Sequence, residues 1–158
     1  MLRRKQCTLM EHICDRNYML KRQTNLQTRQ SRYSVTYAAI FFRGRQVSRL
    51  HTNTPPPPHL HGFRPSIHAE VNALKELPTL NIDPSRCALL ILRKTPGGNT
   101  ANAECCVHCS LIIRQSRIGI VGFSRQDSQW QRQSGATMLG VHESYGWKKY
   151  REERIRLK

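Results

Sequence analysis

Ser66-Ile-His-Ala-Glu-Val-Asn-Ala-Leu74 and Glu104-Cys-Cys-Val-His-Cys109 are the two stretches from which the rest of the chain is read. The first sets His68 two residues ahead of Glu70; the second holds a C-x-x-C pair, Cys106 and Cys109. One imidazole and two thiolates are three ligands for a tetrahedral zinc ion. Three protein ligands leave a fourth position for water, which marks a catalytic rather than a structural ion. Glu70 is then a spare carboxylate beside that position, suited to moving a proton. Residues i and i+2 do not share a helix face, so His68 and Glu70 approach one ion together only from the first turn of a helix whose N-terminus points at it. Cys106 and Cys109, i and i+3, do share a face, and at a helix start the dipole and free N–H groups favour thiolates. Cys105 and Cys109, i and i+4, could converge as well; the C-x-x-C spacing favours Cys106. The spacing therefore predicts two helix N-termini facing each other at one edge of a sheet.

The segments around the motifs supply that sheet. Tyr33 to Phe42 reads as a strand, Arg43-Gly-Arg45 as a turn and Gln46 to His51 as a second strand, an antiparallel hairpin. Residues 52–65 form a loop dominated by Pro55-Pro-Pro-Pro58, a stiff polyproline stretch read as a wall beside a pocket. Ser66 is placed to cap the first helix, with Val71, Leu74 and Leu77 as its buried stripe and Pro78 as its end. The six apolar residues Cys87 to Leu92 suit a strand buried on both faces. Arg93 to Ala103 is a Gly-containing loop, and a second helix starts near Cys105 with Leu111, Ile112 and Ile113. Ile118 to Phe123 is another buried strand, Ser124 to Ser134 has no period, Ala136 to Val141 reads as a final strand, and Trp147 to Lys158 as a charged helix. Before all of these, the spacing of Met10, Ile13, Cys14 and Tyr18 predicts a helix over about 8–28. Strand–helix–strand units imply parallel pairing beside the antiparallel hairpin. The organisation is thus a basic extension over 1–32, a central domain over 33–141 and a basic C-terminal helix over 142–158.

Composition bounds the setting. The chain has 158 residues, 38% of them hydrophobic, and a mean hydropathy of −0.60, consistent with one domain, a modest core and polar extensions. No apolar run has the length of a membrane span, and the basic start, Met1-Leu-Arg-Arg-Lys5, lacks the apolar stretch of a secretory signal. The net charge is +16, a field that gathers polyanions. It is distributed as +6 over residues 1–34, +7 over 35–140 and +3 over 141–158, so nucleic acid or another polyanion is expected at the basic ends. Six cysteines, three of them within five residues, are spaced for a metal and not for a disulfide framework. That favours a reducing, intracellular compartment, with cytoplasm, nucleus and organelle left open. Cys87 reads as a small core hydrophobe, His108 as pointing away from the ligands, and His59 and His61 as loop histidines. Aromatics make up 7% of the chain and few flank the motifs, so no base-stacking platform is evident.

His68-Ala-Glu70 together with Cys106-Val-His-Cys109 resembles the zinc-dependent cytidine and deoxycytidylate deaminase superfamily. Neither the H-x-E tripeptide nor the C-x-x-C is specific alone; the two in this order, each opening a helix and with Glu70 and Cys106 36 positions apart, are. The likeness covers roughly residues 35–124. It implies an α/β fold, a three-layer α/β/α sandwich with a mixed five-stranded sheet. It also implies one zinc on His68, Cys106 and Cys109, Glu70 as the catalytic proton carrier, and hydrolytic removal of the exocyclic amine of a cytosine nucleoside or nucleotide. Asn53 resembles a family asparagine that contacts substrate. Cys105 departs from the pattern, standing where the family has proline. Two other readings stay open: deamination of single-stranded RNA or DNA, and a basic deaminase-fold binding subunit of a nucleoprotein or capsid assembly. An oligomer is compatible with all three.

Overall fold

The run Cys87-Ala-Leu-Leu-Ile-Leu92 becomes the middle of the sheet, which is why it carries no polar side. In the computed structural model, which describes residues 33–55 and 65–156, strand β4 (Cys87–Lys94) pairs along its whole length, antiparallel, with β1 (Val35–Phe42), from Val35 opposite Lys94 to Phe42 opposite Cys87. On its other edge β4 pairs in parallel with β6 (Ile120–Ser124), Ala88 opposite Ile120 through Ile91 opposite Phe123. Both faces of the sheet are covered there, Leu89 and Ile91 packing on one side and Leu90 on the other, and all three are completely buried. Each apolar side chain so buried contributes roughly 1.5–3 kcal/mol.

Further strands complete a mixed sheet of seven. β2 (Arg45–Gln46) and β3 (His51–Thr52) share the outer edge of β1; β5 (Thr100–Ala101) pairs with the end of β4 at Arg93 and Lys94; β7 (Trp130–Ser134) pairs antiparallel with β6. The main path runs β2–β1–β4–β6–β7. Helices α1 (Ala69–Leu74) and α2 (Val107–Gln115) lie on one face, where Ala69, Ala73, Cys109 and Ile113 pack with Ile40, Leu89, Ile91, Val121 and Phe123. The opposite face buries Ala39, Phe41, Ala88, Leu90 and Leu92, with Leu50, Ile120 and Trp130 against them. Helix α3 (Tyr145–Arg156) ends the described chain. The α/β class and the mixed sheet therefore hold, whereas five strands become seven. The second helical layer of the expected sandwich has no counterpart among the described residues. The helix expected over 8–28, with Cys7 and Cys14, lies outside them, as do Pro56 to Pro58, His59 and His61. Among the described residues no helix is long and apolar enough to cross a membrane.

Several boundaries differ from the sequence reading, each for a local reason. The hairpin turn forms with Arg43 and Gly44 both at positive φ, 47° and 81°, the geometry that matches strand twist. The single strand expected over Gln46–His51 is interrupted, because the Ile40 carbonyl accepts from both Val47 N (2.9 Å) and Ser48 N (3.4 Å). Two residues thus oppose one, a bulge, and the buried Ser48 hydroxyl takes the Ile40 N–H at 2.8 Å. Pro78 does not end α1, which stops at Leu74; it sits in the first turn of a separate 3₁₀ turn, Leu77–Thr79. β7 escaped notice because it is an edge strand with mostly exposed polar side chains. The strand expected over Ala136–Val141 is absent: Gly135–Thr137 is a 3₁₀ turn, followed by extended chain with Met138 fully buried.

Glu76, just beyond α1, ties that region to the bulged edge. Its carboxylate accepts from Arg49 Nε at 2.8 Å and Arg49 N at 3.0 Å, and lies 2.9 Å from His51 Nε2. Burial pushes the Glu76 carboxyl up, but the Arg49 and His51 contacts outweigh it and hold the group below its ordinary value of 4.5. Glu76→Gln should cost roughly 1 kcal/mol in urea denaturation at neutral pH. Stability from a depressed carboxyl is present above its unfolded pKa and lost as pH falls through the folded one. The gap between wild type and variant should therefore close on acidification below about pH 4; a gap that widens there contradicts the assignment.

Candidate metal centre

Both motif segments reach the same end of the sheet by an extended approach followed by a helix start. Thr54 and Ile67 form an isolated antiparallel bridge, with N–O distances of 2.9 Å in both directions. Ser66 and Ile67 are therefore still extended, and the expected Ser66 cap does not form. The N-cap residue is His68 (φ −72°, ψ 155°), whose own side chain makes no capping bond. The cap comes from Asn53 instead, whose Oδ1 accepts from Ala69 N at 2.9 Å. Asn72 answers from inside the helix, donating through Nδ2 to Thr52 O (2.9 Å) and Thr54 Oγ1 (3.0 Å). Two asparagine side chains thus lace α1 to the end of β3 and fix where His68 and Glu70 stand.

The second segment is held as firmly. Ala103 N donates to Ser124 O at 2.8 Å, and the fully buried Ser124 hydroxyl joins Arg93 N (3.1 Å) to Ala101 O (2.8 Å). Glu104 is paired with Arg125 Nη1 at 3.3 Å. Cys106 is the N-cap of α2, and its sulfur accepts from Cys109 N at 3.5 Å. Val107 N, otherwise without a helical partner, donates to His142 O at 2.9 Å, so the chain after β7 closes over the helix start. Gly140 makes that passage possible: a β-carbon there would collide with the Cys106 carbonyl group and the Val107 nitrogen.

These approaches bring His68 Nδ1 to 3.2 Å from Cys109 Sγ and 3.6 Å from Cys106 Sγ. The three ligand atoms all lie within 4.8 Å of one another, a group that could hold a metal ion. Tetrahedral zinc with the usual Zn–S and Zn–N bonds requires an S···N separation of about 3.6 Å, so the donor set fits in both chemistry and spacing. Cys105 is not among the three; it is fully buried beneath them, and burial pushes its thiol up. His108 turns away and stacks on Trp147, ring centroids 4.2 Å apart.

The protons of the group are shared. A hydrogen bond from Cys109 holds the Cys106 thiol down to about 3. As the donor in that bond, and buried, Cys109 is pushed well above the thiol range. The hydrogen bond to Cys106 raises His68 in spite of its burial. Glu70 is buried beside them, and desolvation lifts its carboxyl above the usual range against its own backbone N–H and the charge of His68. A carboxyl lifted in this way moves toward the range useful for general acid–base work near neutrality.

Asn72, Ser124 and Gly140 support the centre and were not singled out from sequence. Only Gly140 left a trace, as a glycine inside a supposed strand. Asn53 was expected at the substrate, and the structure commits its carbonyl oxygen to the helix. No protein-family model, curated protein or solved structure matches the chain.

The capping role of Asn53 predicts a graded series. Asn53→Ala should destabilise the protein by about 1 kcal/mol, and Asn53→Asp, which keeps an acceptor, by less. Chemical denaturation checks this; equal losses for the two variants would contradict the cap.

Proposed function

We propose that the protein is a zinc-dependent hydrolytic deaminase acting on the exocyclic amine of a cytosine nucleoside or nucleotide. The observation that carries the reading is a buried carboxylate, Glu70, standing outside a three-member His68–Cys106–Cys109 group whose spacing suits a tetrahedral ion. A structural zinc site is closed by four protein ligands, whereas this group offers three. Zinc, when bound, supplies the Lewis acidity that makes water nucleophilic near neutral pH.

The chain's own residues supply the rest. Glu70 takes the proton of the attacking water, which adds to the ring carbon bearing the amine. It passes that proton to the ring nitrogen beside this carbon, and then carries the second proton, from the hydroxyl now on the carbon, to the departing amine. A carbon–oxygen bond forms, the carbon–nitrogen bond breaks, and ammonia leaves, converting cytosine to uracil. Burial of Glu70 suits both halves of this cycle, since a carboxyl lifted by desolvation is a competent acid as well as a base.

Glu70→Ala should retain zinc and fold while deamination falls by roughly 10²–10⁴-fold. Cys106→Ser and Cys109→Ser should lose the zinc. Turnover assays of cytidine and deoxycytidylate alongside metal analysis check both; a Glu70→Ala protein that turns over at the wild-type rate removes the proton-transfer role. Zinc affinity should also rise with pH. The protons that His68 and Cys109 hold tightly must leave before the metal binds, so the apparent Kd tightens from about pH 6 to 8. A pH-independent Kd contradicts the ligand set.

A further inference from the structure

Helix α3 does not bury a face of its own: none of its residues is buried, and five of its twelve are cationic, Lys148, Lys149, Arg151, Arg154 and Arg156. It is nevertheless fastened at a particular place. Ser144 caps it, with Trp147 N donating to Ser144 Oγ at 3.4 Å, and Arg151 Nη2 reaches Glu143 Oε2 at 3.0 Å. Trp147 stacks on His108, which lies between Cys106 and Cys109 in the first turn of α2, with the two ring planes 14° apart, and meets Tyr150 edge-on. His108 Nδ1 is buried and finds no hydrogen-bond partner among the described residues, so the stack on Trp147 is what holds the ring. On its other side the helix meets the first motif, since a β-carbon on Gly146 would come within 3.1 Å of Pro65 Cβ, three residues before His68. The first turn of α3 therefore bridges the two segments that carry the metal centre.

With Gly146, Trp147, Tyr150 and Glu153 turned inward, the other eight residues of the helix, Tyr145, Lys148, Lys149 and Arg156 among them and Glu152 as the one acidic member, are left on the solvent side. Tyr145, Lys149, Glu152 and Arg156 share one row by helical spacing, with Lys148 beside it, so cations outnumber the single carboxylate there, and Tyr145 is 77% exposed at the end nearest the centre. We infer that this outward row is a docking ledge for single-stranded nucleic acid, with Tyr145 stacking on a base and Lys148, Lys149 and Arg156 meeting phosphates. Aromatic stacking combined with a cationic track is how single strands are held without sequence preference. A single strand fits better than a duplex because the reacting base must reach a buried carboxylate; that choice rests on the deaminase reading. An anionic membrane fits poorly, as Ile155 is the one aliphatic side chain on the helix and no apolar stripe accompanies the charge.

The test is fluorescence anisotropy of the 158-residue chain with a labelled single-stranded oligodeoxycytidylate, at low and physiological salt. Lys148→Glu with Lys149→Glu should weaken binding about tenfold or more and reduce the salt slope by roughly 2. Tyr145→Ala should weaken it about fivefold or more. Arg45→Glu with Lys75→Glu makes the same charge change at the opposite end of the sheet and should weaken binding far less; circular dichroism and zinc content confirm that each variant folds. Equal losses for the two charge pairs, or no binding by wild type, would overturn the ledge, as would binding to phosphatidylserine vesicles in place of the oligonucleotide. Ledge-dependent binding by a protein that deaminates nothing would keep the ledge and discard the deaminase reading. Cytidine turnover without oligonucleotide binding would do the reverse.

Discussion

His68 and Cys109 are 41 residues apart in sequence, yet Nδ1 and Sγ stand 3.2 Å from each other. A three-ligand centre tolerates little error in that separation, because metal bonds are short and their angles fixed. The fold brings the three side chains to a spacing that suits such an ion. His68 rides on a helix start reached from β3, Cys106 and Cys109 on a helix start reached from β4, and β1 joins those strands in a continuous ladder. The core strand β4 sets the distance between the two approaches, although it contributes no side chain to the group.

The last ångström is set by polar side chains and one glycine. Asn53 and Asn72 hold α1 against β3, Ser124 holds the loop after β4 against β6, and Gly140 lets the chain after β7 pass against Cys106. These contacts act on the backbone at the helix starts, where a ligand's position is decided. Burial then sets the electrostatics, lifting Glu70 while the hydrogen bond between the two cysteines holds Cys106 as a thiolate.

The features legible in the sequence were those governed by periodicity or by short-range spacing. Cys87 to Leu92 is apolar on both sides because both faces of the sheet are covered there. His68, Cys106 and Cys109, which the fold brings together, stand out by residue type and separation. What stayed hidden depends on contacts far apart in sequence. The cap on α1 looked like Ser66, but the Thr54–Ile67 bridge keeps that residue extended and gives the role to Asn53, 16 residues before Ala69. β7 has an edge strand's polar pattern, indistinguishable from loop. Few aromatics flank the motifs in sequence, yet folding carries Trp147 onto His108 and Tyr145 to the neighbouring turn. The break between β2 and β3 comes from Ser48 replacing a ladder partner, which no alternation of apolar residues encodes.

The central claim is that three protein ligands hold one zinc and leave a position for solvent. Zinc K-edge X-ray absorption on the reconstituted protein measures this directly. The account predicts two sulfur scatterers at about 2.3 Å and two nitrogen or oxygen scatterers at about 2.0–2.1 Å, only one of the latter with the outer-shell signature of imidazole. Three sulfurs, two imidazoles, or a six-coordinate oxygen shell would contradict it.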